Sequence, residues 1–335
     1  MSPRPRAVAI LNPATGRRRA EEIEALLRAT LERRFDLDVL RTGSPGDARL
    51  LAREAAKEAR LIVAVGGDGT VSDVAFGVVD SDAVLAIIPT GSTNIVARSL
   101  GIPLHPVTAA RLLLRPPALR YMDVAVSGDR LMLHMAGAGL DALTMRDARR
   151  DWKRLAAWLA YVPSAVRHLL EPPTAFSLMI DGTSVTVAAR MVLIANGGFV
   201  INPWFRVGRS IRPDDGVMDV CIFAPPGPVG LATMALWLLA GSVDRSRHFL
   251  QYPAHEVWLS ATPAAPIEID GDYAGHGVLH LQLRPGVLPV VVPGTARSES
   301  NDEWLPGERS PSGGHGSVTG RHGSASSESR RVIGE

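Results

Sequence analysis

The sequence predicts an α/β plus β architecture: an N-terminal domain with a parallel sheet covered by helices, then a C-terminal antiparallel β-sandwich. Three observations predict it. Short apolar runs alternate strictly with helix-period segments over the first hundred or so of 335 residues, which is the signature of parallel βαβ units. From Asp123 onward the pattern becomes short alternating strands joined by glycine turns, which reads as antiparallel hairpins. The turns that close the early strands are rich in Gly, Asn, Ser and Thr, and ligands of parallel sheets sit at those carboxyl ends. The composition changes near residue 122, so residues 1–122 read as the α/β domain and 123–283 as a β-rich domain with helical inserts.

Arg6 to Leu11 is the first apolar strand and ends at the turn formers Asn12-Pro13-Ala14-Thr15-Gly16. Glu21 to Leu31 follows as a helix with Ile23, Leu26, Leu27 and Leu31 on one face. Strand Leu37 to Arg41 ends at Thr42-Gly43-Ser44, and a helix from Gly46 to Ala59 leads into the apolar strand Leu61 to Val65. That strand stops at Gly66-Gly67-Asp68-Gly69-Thr70, where a helical pattern of Val71, Val74, Ala75 and Val78 begins at once. Strand Val84 to Ile88 closes at Pro89-Thr90-Gly91-Ser92-Thr93-Asn94, and Asn94 is placed to cap the next helix. Four turns therefore point to one crevice.

The GGDGT turn carries the strongest chemical signal. Glycines let the backbone approach a ligand closely, and the N–H groups that open a helix are unpaired donors for an anion. Asp68 among them is repulsive toward phosphate unless a cation intervenes or it holds a donor, so the turn points to a nucleotide with a divalent metal. In isolation GGDG also reads as a packing turn, and Ser92, Thr93 and Asn94 as simple helix caps.

In the second half, strands are expected at Val124 to Val126, Leu131 to Met135, Phe176 to Ile180 and Ser184 to Ala195. Leu279 to Leu283 and Val287 to Val292 read as a closing strand pair across Arg284-Pro285-Gly286. A helical insert, Asp151 to Glu171, and the apolar stretch Val229 to Val243 with Trp237 are each readable as helices packed on the sandwich or as membrane-contacting faces. Two acidic turns stand out: Arg212-Pro213-Asp214-Asp215-Gly216-Val217 with Asp219 beyond it, and Asp270-Gly271-Asp272. Each reads equally as a bare turn.

GGDGT followed by PTGSTN resembles the diacylglycerol kinase catalytic-domain family of lipid kinases, and the likeness runs from about Asn12 to about Pro293. The resemblance implies ATP and Mg2+ as cofactors, phosphoryl transfer to the hydroxyl of a diacylglycerol-like or sphingoid lipid, and an active site between the two domains. It implies a nucleotide site of Asn12, Pro13, Ala14, Thr15, Gly16, Thr42, Gly66, Gly67, Asp68, Gly69, Thr70, Val71, Ser72, Ser92, Thr93 and Asn94. It further implies a magnesium site at Asp215 with the carbonyls of Arg212 and Val217, and an active-site acid at Asp272, with Asp270 and Asp68 as the other catalytic candidates. Part of about 284–293 is expected to return to the first domain. Two departures are visible, Ile95 where such kinases carry Asp and Asp272 where they carry Glu. They keep a non-catalytic lipid- or nucleotide-binding module open as an alternative. NAD kinases share GGDGT, but the downstream Asn-Glu dipeptide they use is missing.

A net charge of +2 with dispersed basic residues excludes a nucleic-acid footprint. The single cysteine, Cys221, excludes an internal disulfide and reads as a buried small hydrophobe. No signal peptide or spanning helix is visible, so the expectation is a cytoplasmic protein, peripheral at the membrane where its lipid lies. A homodimer is suggested only by the resemblance. Residues 294–335 lack apolar period and read as a disordered tail, whose His315 and His322 have no metal-ligand spacing.

Overall fold

The computed structural model describes residues 4–15, 19–114, 118–139, 173–199, 206–208 and 210–294. The insert at Asp151 to Glu171, Gly16 and the tail from 295 therefore lie outside the described residues.

Strands β1 (Arg6–Leu11), β2 (Asp36–Arg41), β3 (Leu61–Gly66) and β4 (Val84–Pro89) form a parallel array in the order β2-β1-β3-β4. β3 and β4 are buried along their whole length, as all-apolar runs covered on both faces must be. Helices α1 (Ala20–Leu31), α2 (Asp47–Ala55), α3 (Asp68–Val78), α4 (Ile95–Ser99) and α5 (Pro106–Leu112) connect and cover them. α2 is shorter than the sequence pattern predicts, chiefly at its C-terminus, where the chain tightens after Ala55 and the N–H groups of Lys57 and Glu58 donate to Glu54 O and Ala55 O, three residues back.

The remaining strands are β5 (Ala118–Ser127), β6 (Arg130–Met132), β7 (Met135–Gly139), β8 (Thr174–Ile180), β9 (Thr183–Ala189), β10 (Met191–Ala195), β11 (Met218–Phe223), β12 (Phe249–Ala254), β13 (Glu256–Thr262), β14 (Pro266–Ile269), β15 (Asp272–His276) and β16 (Leu279–Val292). The expected sandwich is present. One of its layers is a six-stranded sheet, β12-β11-β10-β7-β14-β15. The other is a continuation of the parallel sheet, through β16, β13, β8 and β9 with β5 and β6 alongside, into ten strands. Val192, Ile194, Val220 and Ile222 of one layer pack with Phe176, Leu178, Val257 and Leu281 of the other.

Three strand expectations need correction. Leu279 to Val292 is one long strand rather than a hairpin: it runs antiparallel to β13 and β5, and Val290 pairs in parallel with Leu85 of β4. Gly286, at φ 60°, makes a bulge between Arg284 and Leu288 instead of a reversal, and its N–H is taken by Asp123. The run Ser184 to Ala195 breaks at Arg190, where the chain leaves the large sheet and enters the small one. The run Leu131 to Met135 breaks in the same way at Leu133 and His134.

A sixth helix, α6 (Gly227–Leu239), lies on the outer face of the six-stranded sheet, where Met234 and Leu238 pack with Leu193, Cys221 and Phe223. Cys221 is buried, as its sequence context predicts, and burial pushes its thiol well above the usual range.

Candidate active site

The carboxyl ends of the parallel strands are tied together by backbone bonds that continue the ladder into the loops. The N–H of Asn12 donates to Val65 O at 3.0 Å, that of Thr42 to Leu11 O at 3.0 Å and that of Thr90 to Gly66 O at 2.9 Å. Side chains reinforce this: Asn12 Nδ2 donates to Thr70 Oγ1 at 3.0 Å, Asn12 Oδ1 accepts the Ala14 N–H at 3.0 Å, and the Thr15 and Thr90 hydroxyls meet at 3.0 Å. The two glycine turns touch. A Cβ on Gly91 would lie 2.6 Å from the Gly67 Cα, so no larger residue fits without separating them.

Asp68 opens α3, yet its carboxylate turns away from the glycine loop. It accepts the Val96 N–H at 3.3 Å at the start of α4, and the N–H groups of Ile95 and Asn94 also favour its charge. Burial outweighs these donors and raises its pKa. Asn94, expected as the cap of α4, makes no side-chain cap; it adopts φ 49° and donates through Nδ2 to Gly91 O at 2.7 Å. Asp68 thus anchors the PTGSTN turn to the GGDGT turn.

The opposite wall comes from the DGD turn. Asp270 sits at φ 49° with both oxygens spent on backbone donors: Leu133 N at 2.7 Å to Oδ2, and His134 N at 2.8 Å and Met135 N at 3.0 Å to Oδ1. These are the N–H groups that lose their ladder partners where the chain changes sheets, and such groups need a partner when buried. The carbonyls there are served by Asn196 Nδ2, which donates to Leu133 O at 2.9 Å and to Asp123 O at 2.8 Å. Burial, opposed by the three donors and aided by the negative Asp68, raises the Asp270 pKa to about 6. Neighbouring His134 is held near 4, again by burial, and is neutral at physiological pH.

Asp272 lies two residues on and faces the other way. A methyl placed on Gly69 would meet its Oδ2 at 3.5 Å, so this carboxylate stands directly against the first turn of α3. A cavity of about 790 Å³ opens here, within the range of small-ligand sites. Of the residues expected at a nucleotide site, Asn12, Pro13, Ala14, Thr15, Thr42, Gly67, Gly69, Thr70 and Ser72 line it, together with Asp270 and Asp272. Gly66, Asp68, Val71, Ser92, Thr93 and Asn94 do not; Gly66, Val71 and Asn94 are buried, Asp68 is half-buried, and Ser92 and Thr93 are exposed.

Sequence reasoning missed several lining residues, among them Arg49, Asp73, Asp129 and Arg130. Arg49 reaches over the Phe76 ring, 4.1 Å from its centre, and pairs with Asp73 at 3.8 Å. Burial and the nearby Asp272 raise the Asp73 pKa against the pull of Arg49. Asp129 closes the Ser127-Gly128-Asp129 turn and Arg130 opens β6 after it, a stretch readable as a hairpin but carrying no motif for a site.

Asp215 does not line this cavity. It belongs to a second acidic group with Asp123 and Asp219. Asp123 is buried and spends its carboxylate on the N–H groups of Gly216 and Gly286, each at 2.7 Å. Asp219 accepts from Gln251 Nε2 at 2.8 Å. Partial burial, then the charges of Asp219 and Asp123, raise the Asp215 pKa. Such an excess of negative charge on hard oxygen donors suits a magnesium ion, and the Arg212 and Val217 carbonyls are adjacent in the chain. Among the described residues no three His, Cys, Asp or Glu side chains converge on a common metal position, so an ion here would rest on one carboxylate, carbonyls and water.

A glycine cradle at the ends of parallel strands, faced by carboxylates from a second sheet across one cleft, defines an α/β enzyme built to hold an anionic ligand. The comparisons narrow the class. Residues 6–126 match the diacylglycerol kinase catalytic domain, and residues 134–292 match the YegS C-terminal NAD kinase beta sandwich-like domain. A "Probable lipid kinase YegS-like" of Pseudomonas fluorescens is 30% identical over 284 residues, covering 82% of this chain and 91% of that protein. A "Diacylglycerol kinase" of Bacillus subtilis is 27% identical over 283 residues, covering 81% and 90%. The crystal structure of a diacylglycerol kinase from Bacillus anthracis superposes with a TM-score of 0.71 at 22% identity, over 86% of this chain and 96% of that one, and shares the fold. The chain belongs to the diacylglycerol kinase catalytic-domain family. It is an enzyme, a transferase of the lipid kinase type.

Proposed function

We propose that the enzyme transfers the γ-phosphate of ATP, with Mg2+, to the hydroxyl of a diacylglycerol-like or sphingoid lipid. The position of Asp272 against Gly69 carries this reading. A base must reach the acceptor hydroxyl while the phosphate is held beside it, and Asp272 and the first turn of α3 face each other across the cleft. The N–H groups that open α3 have no intrahelical acceptors and suit phosphate oxygens, with Thr70, Asn12 and Thr15 adding polar contacts. Arg49 and Arg130 bring positive charge to the wall. A bound magnesium ion would supply charge neutralisation at the phosphates. Asp272 would accept the hydroxyl proton as the oxygen attacks; Asp270, with both oxygens occupied, positions the turn. Asp215 and the carbonyls of Arg212 and Val217 would hold a second, structural ion.

Asp272 is shorter by one methylene than the Glu of related kinases, and its place at the start of β15 sets it against the glycine turn without that reach. The test is incubation of the purified enzyme with labelled ATP, Mg2+ and a panel of diacylglycerols, sphingosines and ceramides in detergent micelles. Label in a phosphorylated lipid is the expected result. Its absence from every lipid, with a control kinase active, overturns the proposal.

A further inference from the structure

The outer face of α6 is apolar and exposed. Val229 is 78% exposed, Leu236 66% and Leu239 69%, with Trp237 at 37% beside them. Their spacing places Val229, Leu236 and Leu239 with Ala232 on one stripe, opposite the Met234 and Leu238 stripe that packs on the six-stranded sheet. The helix carries no charged residue at all. Beyond its C-terminus Arg245 and Arg247 are exposed, against a single acidic residue, Asp244.

Soluble proteins do not leave such a stripe open without use. A second copy of the chain is a poor occupant. A helix of 13 residues is about 20 Å long and about 10 Å wide, so its face offers roughly 200 Å², far below the roughly 800 Å² a side of a stable protein interface. A bilayer needs no such fixed area. Leucines enter the acyl boundary, a half-exposed Trp belongs at the headgroup level, and flanking arginines meet anionic headgroups.

We propose that α6 is the membrane-docking element of the enzyme, inserting Val229, Leu236, Trp237 and Leu239 into the surface of an anionic bilayer while Arg245 and Arg247 contact lipid phosphates. This rests on the bilayer-lipid acceptor proposed above, so docking is measured apart from turnover. The full chain and its Leu236→Glu/Leu239→Glu variant are floated with phosphatidylcholine vesicles and with vesicles containing phosphatidylglycerol, without ATP. Both substituted side chains are exposed, and coincident thermal unfolding curves establish that the variant folds.

The expected result is flotation of the wild type with the phosphatidylglycerol vesicles and a loss of about tenfold or more in the variant, one charge alone being costly in the acyl region. Turnover on micellar lipid should be the same for both proteins, whereas turnover on vesicles falls in the variant. Equal flotation of the two overturns the docking role, as does light scattering that shows a dimer in the wild type and a monomer in the variant. Normal flotation without phosphorylation of any lipid would sink the kinase reading and leave the docking helix standing.

Discussion

The two acidic regions use the same residue type and the same turn, Asp-Gly, to different ends. At the cleft, Asp270 is spent on three backbone N–H groups and leaves Asp272 facing a cavity. At the 211–219 turn, Asp123 is spent on two N–H groups and leaves Asp215 exposed and outside that cavity. Each region therefore holds one carboxylate committed to the backbone and a second set apart from it, Asp272 lining the cleft and Asp215 at the exposed turn. What separates them is the neighbour of that second carboxylate: for Asp272 the first turn of α3, for Asp215 the carboxylates of Asp219 and Asp123. The first arrangement suits group transfer, the second a bound cation.

The committed carboxylates give the largest expected effects on stability. Asp270→Ala leaves three buried donors unserved and should cost about 3 to 6 kcal/mol in urea unfolding, against about 2 to 4 kcal/mol for Asp123→Ala with two donors. Equal and small losses would mean that neither carboxylate holds its turn.

A raised Asp270 pKa carries a definite sign. With the folded value about 6 and the unfolded value near 3.8, the native state holds this proton more tightly. Its contribution is therefore full below about pH 4 and fades as pH rises through about 6, by at most about 2 to 3 kcal/mol. The stability difference between wild type and Asp270→Asn, measured from pH 4 to 7, should shift by that amount against the wild type; a flat difference would mean the carboxyl titrates normally.

Smaller again is Gly91→Ala. Its methyl would press on the Gly67 backbone at 2.6 Å, so about 1 to 3 kcal/mol of stability should go, together with nucleotide affinity, as the turns part. Calorimetry with ATP reads both. The smallest change belongs to Asp215→Asn, which should alter the melting point little without metal; millimolar Mg2+ should raise the melting point of the wild type and leave that of the variant unmoved.

How much of this was legible beforehand follows from how local each signal is. GGDGT, PTGSTN and the DGD turn are short strings whose glycines and oxygens declare a ligand, and nine of the expected nucleotide residues line the cleft. The sheet switches at Leu133 and Arg190 were not legible, because each run carries only a polar residue there, His134 or Arg190, and no Gly or Pro to mark a break. What holds the chain there is remote: Asp270 serves the switch at Leu133 from 135 to 137 residues away, and the Arg190 N–H donates to Phe223 O. Arg49 was hidden for a similar reason. It sits in the first turn of α2, and only the packing of α2 against α3 turns it over Phe76 into the cleft wall. For Asp68 the motif left two roles open, a cation or a held donor, and only the fold brings the Val96 N–H at the start of α4 to its carboxylate.

The central claim, that Asp272 meets the acceptor hydroxyl at the mouth of the glycine cradle, is tested most directly by single-turnover transfer from saturating labelled ATP to micellar lipid in Asp272→Asn. The account predicts a rate lower by about a hundredfold or more with ATP affinity within about threefold of the wild type. A rate within about threefold of the wild type would contradict it, since a group that takes the proton in the transition state leaves no such residue of activity when it is removed.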